Sequence, residues 1–409
     1  MTRRLVIIGN GMAGARLARA MAATDWQVTV VGAEPEPAYN RIMLSPLLAG
    51  QVDRAGIALG WSDQAATMLG CSVTAIDRTA RRVTLSDGDS LAYDRLVVAT
   101  GSAAIRLPIP GADHQAVMTF RDMADVTRLA AAGDRGGRAI VIGGGLLGLE
   151  AAAGLAARGM QVTVVHLAPW LMERQLDAGA GRMLADMLRR RGIAIETSAQ
   201  SRAITDLDGG IGLHLADGRV LPADLVVMAI GVRPETTLAR AAGLDVGRGI
   251  VVDDGMATSD PAIAAIGECT EHRGATVGLV APIWDQVETL AARLRGDHTA
   301  IYAPRPVATA LKVSGIDLFS AGTIDEAAGS EAIHFVDPGA GLYRRLLVAG
   351  GRLVGAVLLG DIQDGPWLHR LIEDGTDITA ARADLIFGRA HAEPALGAAA
   401  EPVVLKGAA

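Results

Sequence analysis

Two short glycine-rich segments carry the clearest chemical signal in this sequence. Gly9-Asn10-Gly11-Met12-Ala13-Gly14 follows an apolar run at 5–8, and Gly143-Gly144-Gly145-Leu146-Leu147-Gly148 follows an apolar run at 139–142. In this G-x-G-x-x-G pattern the first glycine allows a tight turn, the second lets a pyrophosphate approach the backbone, and the third lets the helix pack closely on the strand. The helix N-terminus then offers its unpaired N–H groups to the phosphate charge. Each segment therefore predicts a dinucleotide site.

The spacing of other landmarks strengthens this interpretation, because a single glycine pattern of this kind is weak evidence. Gly9 and Gly143 are 134 residues apart, and the strand-like runs at 28–31 and 162–165 are also 134 apart. The hairpin signals Asp87-Gly88 and Asp217-Gly218 differ by 130 residues, as do Gly101 and Gly231 at the ends of two apolar runs. Landmarks that keep their spacing indicate two copies of one structural unit. Two dinucleotide sites predict a flavin and a nicotinamide cofactor, and therefore a redox enzyme.

Other groups that store electrons are scarce. The two cysteines, Cys71 and Cys269, are far apart in sequence, which argues against a local C-x-x-C disulfide and a four-cysteine iron–sulfur site within this chain. The cluster Glu268-Cys269-Thr270-Glu271-His272 lacks the spacing of zinc ligands, so no metal site is predicted. Electrons that reach a flavin are therefore expected to leave for a separate acceptor.

Alternating strands and helices would position these groups. In the first copy, strand 5–8, a helix at 12–23 and strand 28–31 precede short strands and turns at 71–98. The segment 108–111, Pro-Ile-Pro-Gly, predicts a domain boundary, and the second copy follows to about 229. Beyond Pro304, strands are predicted at 307–313, 332–336, 343–349 and 352–359. The tail at 391–409 is rich in Ala, Gly and Pro without a period, and is predicted to be disordered.

The composition limits the classes of partner. Half of the residues are hydrophobic and 20% are charged, so sizeable cores can be buried. The net charge of −7 argues against nucleic acid and anionic membranes, and no apolar run approaches the ~18 residues of a spanning helix. The basic opening at 1–4 is interpreted as the start of the first strand, because cleavage of a signal peptide there would remove the first glycine turn. A cytoplasmic location is predicted.

These features resemble the FAD-dependent pyridine nucleotide oxidoreductase family over about residues 3–360. The resemblance includes the two glycine turns, the segments 99–101 and 229–234, and the segment 258–268, which resembles the family's second FAD motif. It implies an α/β fold with two Rossmann-like dinucleotide-binding domains and a small α+β C-terminal interface domain. The NAD(P)H domain, 111–230, would be inserted into an FAD domain split into 1–110 and 231–303, with the interface domain at 304–390.

Two longer strings, at 165–177 and 267–274, look like the flavoprotein portion of assimilatory nitrite reductase large subunits and of nitrate reductase electron-transfer subunits. This resemblance implies electron transfer from NADH or NADPH through FAD to a separate redox protein, a nitrate or nitrite reductase component. Because this sequence lacks the iron–sulfur or sirohaem-binding regions of those relatives, it is not expected to reduce nitrite itself by the sirohaem route. A reductase of a ferredoxin- or rubredoxin-type carrier is one alternative. A sensor or assembly module that binds FAD and NADH with little turnover is another, and the oligomeric state stays open.

The resemblance also implies the residues of an FAD site. Glu268 stands where most members have the Asp that holds the flavin ribityl chain, and Arg41 stands where a guanidinium contacts the FAD phosphates. Glu34, 20 residues past Gly14, is the best candidate for the acid that binds the adenosine ribose. The remaining predicted FAD residues are Gly9, Gly11, Met12, Ala13, Gly14, Ala99, Thr100, Gly101, Gly231 and Gly267.

In the second copy the predicted NAD(P)H residues are Gly143, Gly145, Leu146, Leu147, Gly148, His166 and Arg174. His166 stands where an acid would favour NADH, whereas Arg174 would suit the 2′-phosphate of NADPH; NADH is preferred and both stay open. Glu150 resembles a carboxylate near the nicotinamide amide, and Trp284 resembles an aromatic residue that borders the flavin. These two are the predicted catalytic residues. The alternative interpretations give these residues no functional role: Glu150 is an ordinary residue on a helix surface, Trp284 belongs to the core, and Arg41 is exposed to solvent in a loop.

Overall fold

The structure is a computed structural model that describes residues 3–60, 65–305, 308–313 and 315–399. Its strands are β1 (Arg3–Ile8), β2 (Trp26–Gly32), β3 (Ala66–Leu69), β4 (Val73–Asp77), β5 (Arg82–Leu85), β6 (Ser90–Ala92), β7 (Arg95–Val98), β8 (Ser102–Ala104), β9 (Val117–Thr119), β10 (Arg138–Ile142), β11 (Gln161–Val165), β12 (Ala194–Glu196), β13 (Ser201–Leu207), β14 (Gly210–Leu215), β15 (Val220–Ala223), β16 (Leu225–Met228), β17 (Val232–Pro234), β18 (Ile250–Val252), β19 (Ile263–Ala265), β20 (Thr270–His272), β21 (Ala275–Thr276), β22 (Thr309–Val313), β23 (Ile316–Gly322), β24 (Ser330–Asp337), β25 (Leu342–Ala349) and β26 (Arg352–Leu359). Its α-helices are α1 (Met12–Met21), α2 (Leu44–Leu48), α3 (Arg54–Ile57), α4 (Met123–Gly133), α5 (Leu146–Ala157), α6 (Ala178–Arg190), α7 (Thr237–Ala241), α8 (Val280–Leu294), α9 (Gly365–Glu373) and α10 (Arg389–Ala399).

Contacts between residues divide the chain into two compact units. Unit 1 comprises Met1–Pro108, Val117–Gly136 and Met228–Pro304, and unit 2 comprises Ile109–Ala116, Gly137–Val227 and Arg305–Ala409. The domain boundaries predicted from the sequence differ from these units at 117–136, because this segment was expected in the NAD(P)H domain. This segment belongs to unit 1 because α4 packs against α2 and Met123 donates its backbone N–H to the Tyr39 hydroxyl at 3.2 Å. Residues 305–390 of the predicted interface domain lie within unit 2. The predicted domain boundaries therefore stay predictions.

Unit 1 is built on a parallel sheet in the order β19-β7-β1-β2-β3. The last four residues of the central strand β1 are buried, as expected for a parallel sheet that is covered on both faces. The apolar opening of the sequence is thus a core strand. The hairpin predicted at Asp87-Gly88 joins β5 to β6 within a three-stranded antiparallel sheet, β4-β5-β6.

Unit 2 repeats this arrangement with its own strands. A parallel ladder joins β10, β11 and β12, and α5 follows β10 as α1 follows β1. The antiparallel sheet β13-β14-β15 corresponds to β4-β5-β6, with Asp217-Gly218 in the turn before β15. Both predicted copies are present in the structure.

The C-terminal part of unit 2 is an antiparallel sheet in the order β22-β23-β26-β25-β24, and α9 packs on β23 and β26. All four strands predicted here are present, although residue 307 lies outside the described residues, and β23 is an additional strand. The prediction of disorder from residue 391 is wrong for 391–399, which belong to α10. Alanine favours helix, and Ala392 is fully buried in the core of this part. Residues 400–409 of the predicted tail lie outside the described residues. Among those that the structure describes, no helix is both long enough and apolar enough to cross a membrane.

Candidate dinucleotide sites

The turn after β1 shows why three glycines are needed there. Gly9 has a φ of +115°, and a Cβ on it would lie 2.2 Å from the carbonyl oxygen of Ala99. A Cβ on Gly14 would lie 2.0 Å from the carbonyl oxygen of Gly9, so helix α1 packs directly against the turn. By contrast, a Cβ on Gly11 would meet no atom within 4 Å. The first and third glycines serve protein packing, whereas the second leaves open space at the helix N-terminus.

Further predicted residues lie at the same edge of the unit 1 sheet. Ala99, Thr100 and Gly101 follow β7, and Gly267 and Glu268 follow β19, which pairs with β7 in parallel. Ligands of open parallel sheets bind beyond the carboxyl ends of the strands, so these residues lie where a ligand is expected.

Gly267 and Gly231 take backbone conformations that favour glycine. Gly267 has a φ of +88°, and a Cβ on it would lie 3.3 Å from the Cβ of Ala13, in the first turn of α1. Gly231 has a φ of +120°, and its carbonyl accepts the N–H of Ile105 at 3.0 Å. Gly267 thus lies next to the glycine turn, while Gly231 lies where β8 and β17 pair.

Glu268 belongs to a polar network that includes two residues missed by the sequence reasoning. The Ser102 hydroxyl donates to Oε2 of Glu268 at 2.7 Å, and Arg121 forms an ion pair with the same oxygen. Arg121 also donates to the Ser102 hydroxyl at 2.8 Å. The side chains of Arg121 and Glu268 are 17% and 19% exposed, so water screens this pair only partly. The network fixes the orientation of the carboxylate that was predicted to hold the flavin ribityl chain.

Glu34 and Arg41, predicted separately, are brought together by the structure. They form an ion pair, and the Tyr39 hydroxyl donates to Oε2 of Glu34 at 2.6 Å. Arg41 also donates to the Tyr39 hydroxyl at 2.9 Å and to the carbonyl oxygen of Arg121 at 3.1 Å. Burial raises the pKa of Tyr39, so its hydroxyl stays protonated and can donate to Glu34. Both roles, ribose binding by Glu34 and phosphate binding by Arg41, stay predictions.

A buried glutamine supports the loop that carries Glu268. Oε1 of Gln286, on α8, accepts the N–H of Gly267 at 2.8 Å, and its Nε2 donates to the Thr270 hydroxyl at 3.1 Å. Cys269 is fully buried, and its burial raises the pKa of its thiol. Both cysteines are free and buried. Within the parts of 3–399 that the structure describes, no group of three or more His, Cys, Asp or Glu side chains is placed to hold a metal ion.

The turn after β10 reproduces the geometry of the first turn. Gly143 has a φ of +123°, and its N–H donates to the carbonyl oxygen of Val165 at 2.9 Å. In the first turn the N–H of Gly9 donates to the carbonyl oxygen of Val31 at 2.8 Å. Gly145 caps α5 with φ −82° and ψ −179°, and Gly11 caps α1 with φ −81° and ψ −171°. A Cβ on Gly145 would also meet no atom within 4 Å. The second turn therefore offers the same open space at a helix N-terminus.

The first turns of both helices suit an anion. Met12, Ala13 and Gly14 begin α1, and Leu146, Leu147 and Gly148 begin α5. These side chains are apolar and carry no charge that would repel a phosphate. Both turns thus fit a pyrophosphate through backbone N–H groups alone.

The other predicted NAD(P)H residues lie in unit 2. His166 follows β11 directly and is buried, whereas Arg174 is exposed in the loop before α6. Glu150 lies in α5, one turn beyond its N-terminus, and is half-buried. The roles of these residues stay predictions.

Trp284 lies on α8 in unit 1, half-buried against the core. The guanidinium of Arg16 lies over its ring, 4.6 Å from the centroid, and also pairs with Glu288 at 2.9 Å. These contacts suit a packing role as well as a flavin-bordering role, so its catalytic assignment stays a prediction.

The chain is similar to a nitrite reductase, to a nitrate reductase electron transfer subunit and to a ferredoxin reductase. It is 45% identical over 385 residues to a nitrite reductase [NAD(P)H] of Bacillus subtilis strain 168, covering 92% of this chain and 48% of that protein. It is 40% identical over 392 residues to an assimilatory nitrate reductase electron transfer subunit of the same strain, covering 94% and 51%. The fold matches a ferredoxin reductase from Rhodopseudomonas palustris with a TM-score of 0.85 and 29% identity, covering 97% of this chain and 100% of that one.

The chain thus spans about half the length of the two curated relatives. The family model described as pyridine nucleotide-disulphide oxidoreductase matches residues 3–289, and the model described as rubredoxin NAD+ reductase C-terminal domain matches residues 306–376. These matches confirm the predicted family, the predicted fold class and the predicted cofactor pair, FAD and NAD(P)H. The chain belongs to the pyridine nucleotide-disulphide oxidoreductase family.

Proposed function

We propose that this chain is a flavoprotein reductase that passes electrons from NAD(P)H through FAD to a separate redox protein, a component of an assimilatory nitrate or nitrite reductase. The observation that carries the proposal is the equivalence of the two turns. Gly11 and Gly145 cap their helices with the same backbone geometry, and each leaves space where a pyrophosphate would approach. One chain with two such sites suits a flavin and a nicotinamide nucleotide.

We assign FAD to the turn of unit 1. Glu268, oriented by Arg121 and Ser102, would hold the ribityl chain, and the Glu34–Arg41 pair would face the adenosine ribose and the phosphates. Glu268 and Glu34 each have side-chain partners that fix them, which limits reorganisation when a ligand binds. When bound, FAD accepts hydride from a nicotinamide nucleotide and can release the electrons one at a time.

We assign NAD(P)H to the turn of unit 2. Backbone N–H groups at the start of α5 would bind its pyrophosphate, and Glu150 would orient the nicotinamide amide. Separate turns for the two nucleotides make the two binding steps separable by mutation.

The acceptor is proposed to be a protein. Both cysteines are free and buried, so they are poorly placed to exchange electrons with a small disulfide substrate. The relatives named for nitrite and nitrate reduction cover nearly all of this chain, which favours an acceptor from those systems. We also propose a cytoplasmic location, and the two cysteines, which are both free, are typical of a reducing compartment.

A ferredoxin- or rubredoxin-type carrier is the second candidate for the acceptor. It is favoured by the match of residues 306–376 to the rubredoxin NAD+ reductase C-terminal domain and by the full-length match to a ferredoxin reductase. A sensor or assembly role with little turnover is the third candidate.

The test mixes the FAD-loaded protein with NADH or NADPH under anaerobic conditions and follows flavin bleaching by stopped-flow absorbance. The reduced protein is then mixed in turn with a nitrate reductase catalytic subunit, a nitrite reductase, a ferredoxin and a rubredoxin, with oxygen as the reference acceptor. Fastest reoxidation by a nitrate or nitrite reductase component is expected. Fastest reoxidation by a ferredoxin or rubredoxin would favour the carrier reductase. If no protein acceptor outpaces oxygen, or if NAD(P)H does not bleach the flavin, the proposal fails.

A further inference from the structure

After its second strand, β11, unit 2 lacks an acidic residue at the position equivalent to Glu34 in unit 1. In a strand–turn–helix–strand nucleotide fold, an Asp or Glu near the end of the second strand accepts hydrogen bonds from the adenosine ribose. In unit 1 the second strand, β2, ends at Gly32 and Glu34 follows. The residue 134 positions after Glu34 is Ala168. A carboxylate for this part of unit 2 must therefore come from elsewhere in the chain.

Gly144 forms backbone hydrogen bonds both to His166, at the end of β11, and to the loop at 171–173. Its N–H donates to Nδ1 of His166 at 3.0 Å, and its carbonyl accepts the N–H of Met172 at 3.0 Å. A side chain on Gly144 would not fit, because its Cβ would lie 2.7 Å from Cγ of His166. Met172 has a φ of +54°, a left-handed conformation that is unfavourable for a residue other than glycine. The loop at 171–173 is thus held against the turn at an energetic cost, as is common at functional sites.

This loop places Glu173 beside His166. Because a backbone N–H can only donate, Nδ1 of His166 acts as the acceptor for Gly144 and the ring proton lies on Nε2. Nε2 is 3.0 Å from Oε2 of Glu173 and donates to it. His166 is 8% exposed, whereas the Glu173 side chain is 38% exposed. The histidine therefore orients a carboxylate that a ligand can still reach.

Unit 1 reaches a related arrangement with different residues. There the turn has a side chain, Asn10, and the end of the second strand has Gly32. A Cβ on Gly32 would lie 2.6 Å from the Cβ of Asn10, so only glycine fits at the strand end. In unit 2 the equivalent turn residue is Gly144 and the equivalent residue at the strand end is His166. The side chain at this contact therefore comes from the turn in unit 1 and from the strand end in unit 2. Glu34 in unit 1 is held by Tyr39 and Arg41, and Glu173 in unit 2 is held by His166.

We propose that Glu173 is the residue that selects NADH over NADPH, with His166 as its positioning residue. The Glu173 carboxylate would accept hydrogen bonds from the ribose hydroxyls of NADH and repel the 2′-phosphate of NADPH. This inference rests on the proposed assignment of NAD(P)H to the turn of unit 2.

The test uses the FAD-loaded full chain and titrates NAD+ and NADP+ by isothermal calorimetry, so that binding is measured without turnover. The parent binds NAD+ more tightly than NADP+. Glu173→Gln keeps the shape and removes the charge, and it lowers the preference for NAD+ about tenfold, the scale of one lost hydrogen bond to a charged group. His166→Asn can still accept the N–H of Gly144 but cannot reach Glu173, and it lowers the preference while the melting temperature stays near the parental value. Glu331→Gln, an exposed carboxylate on β24, is the matched control and keeps the parental ratio.

The possible failures are distinguishable. If the parent prefers NAD+ and Glu173→Gln keeps the parental ratio, the inference is wrong and the proposed function stands. If Arg174→Gln changes the ratio while Glu173→Gln does not, the inference is likewise overturned. If Gly145→Val binds both nucleotides as the parent does, the assignment of the second turn fails and the inference fails with it. Retained FAD absorbance in each variant verifies that the chain is folded.

Discussion

Arg4 and Asp94 join the start of β1 to the start of β7 through a three-point contact. The backbone N–H of Arg4 donates to Oδ2 of Asp94 at 2.7 Å, while its Nε and Nη2 reach the two carboxylate oxygens at 3.2 Å each. Arg138 and Asp224 repeat this contact in unit 2 at 2.7, 3.3 and 3.1 Å. The repeat thus extends from the glycine turns to single side-chain contacts at the opposite end of the strands.

These pairs predict a dependence of stability on acid pH. Hydrogen bonds from Arg4 and Arg138 lower the pKa of Asp94 and of Asp224. Their stabilisation is therefore present above the ordinary aspartate pKa and is lost as the pH falls through the lower pKa of the folded state. Asp94→Asn and Asp224→Asn are expected to melt at lower temperature than the parent at neutral pH and to lose less stability on acidification. Melting temperatures measured from about pH 7 to pH 3 test this, with the exposed Asp89→Asn as control. Parallel curves for parent and variants would contradict the prediction.

The two glycine turns predict separable losses of cofactor. Gly11→Val has room in the protein, so the chain should fold but lose FAD, because the side chain occupies the space that a pyrophosphate needs. Gly145→Val should keep FAD and lose flavin reduction by NAD(P)H. Visible absorbance of the purified proteins and stopped-flow bleaching measure the two effects.

Gly14→Ala provides the contrast to these variants. Its Cβ would lie 2.0 Å from the carbonyl oxygen of Gly9, so this small change should destabilise the fold itself. Circular dichroism melting separates loss of fold from loss of cofactor. A Gly11→Val protein that is fully loaded with FAD would remove the first turn from the FAD site.

Gln286→Leu is expected to destabilise the chain and weaken FAD retention. The substitution leaves the N–H of Gly267 and the hydroxyl of Thr270 without their buried partner, which costs about 1–3 kcal/mol. The loop that carries Glu268 then loses its support. Urea unfolding measures the stability, and FAD release on dilution measures the affinity. Gln51→Leu, at an exposed site of the same unit, is the matched control. An unchanged FAD affinity would show that Gln286 has no influence on the site.

Arg121→Gln tests the network around Glu268. Removal of the guanidinium leaves a largely buried carboxylate without its counter-charge, and we expect a loss of about 2 kcal/mol in the free energy of unfolding. FAD should also dissociate faster, since the orientation of Glu268 depends on Arg121. Arg128→Gln removes an arginine whose side chain is 53% exposed from its pair with the buried Asp125, outside the network of Glu268, and should have little effect on FAD. Equal FAD dissociation rates in the two variants would argue against the network.

The features that the sequence determined are local or periodic. A glycine turn needs only a strand before it and a helix after it, so the turns at 9–14 and 143–148 could be identified directly. The spacing of repeated landmarks then predicted two copies of one nucleotide-binding unit, and the resemblance supplied the family. The tail was misjudged because its composition suggested disorder, whereas packing of Ala392 against the core stabilises α10.

The partners of the predicted carboxylates were decided only by the tertiary structure. Arg121 and Glu268 are 147 residues apart in sequence, and no local pattern pairs two charged residues across such a distance. Glu173 and His166 are only seven residues apart, but their contact depends on the left-handed backbone of Met172 and on the bare backbone of Gly144. Residue types and spacing specify where strands, turns and helices form. The orientation of a side chain depends on which distant segments the fold brings against it, because packing and hydrogen bonding act between neighbours in space.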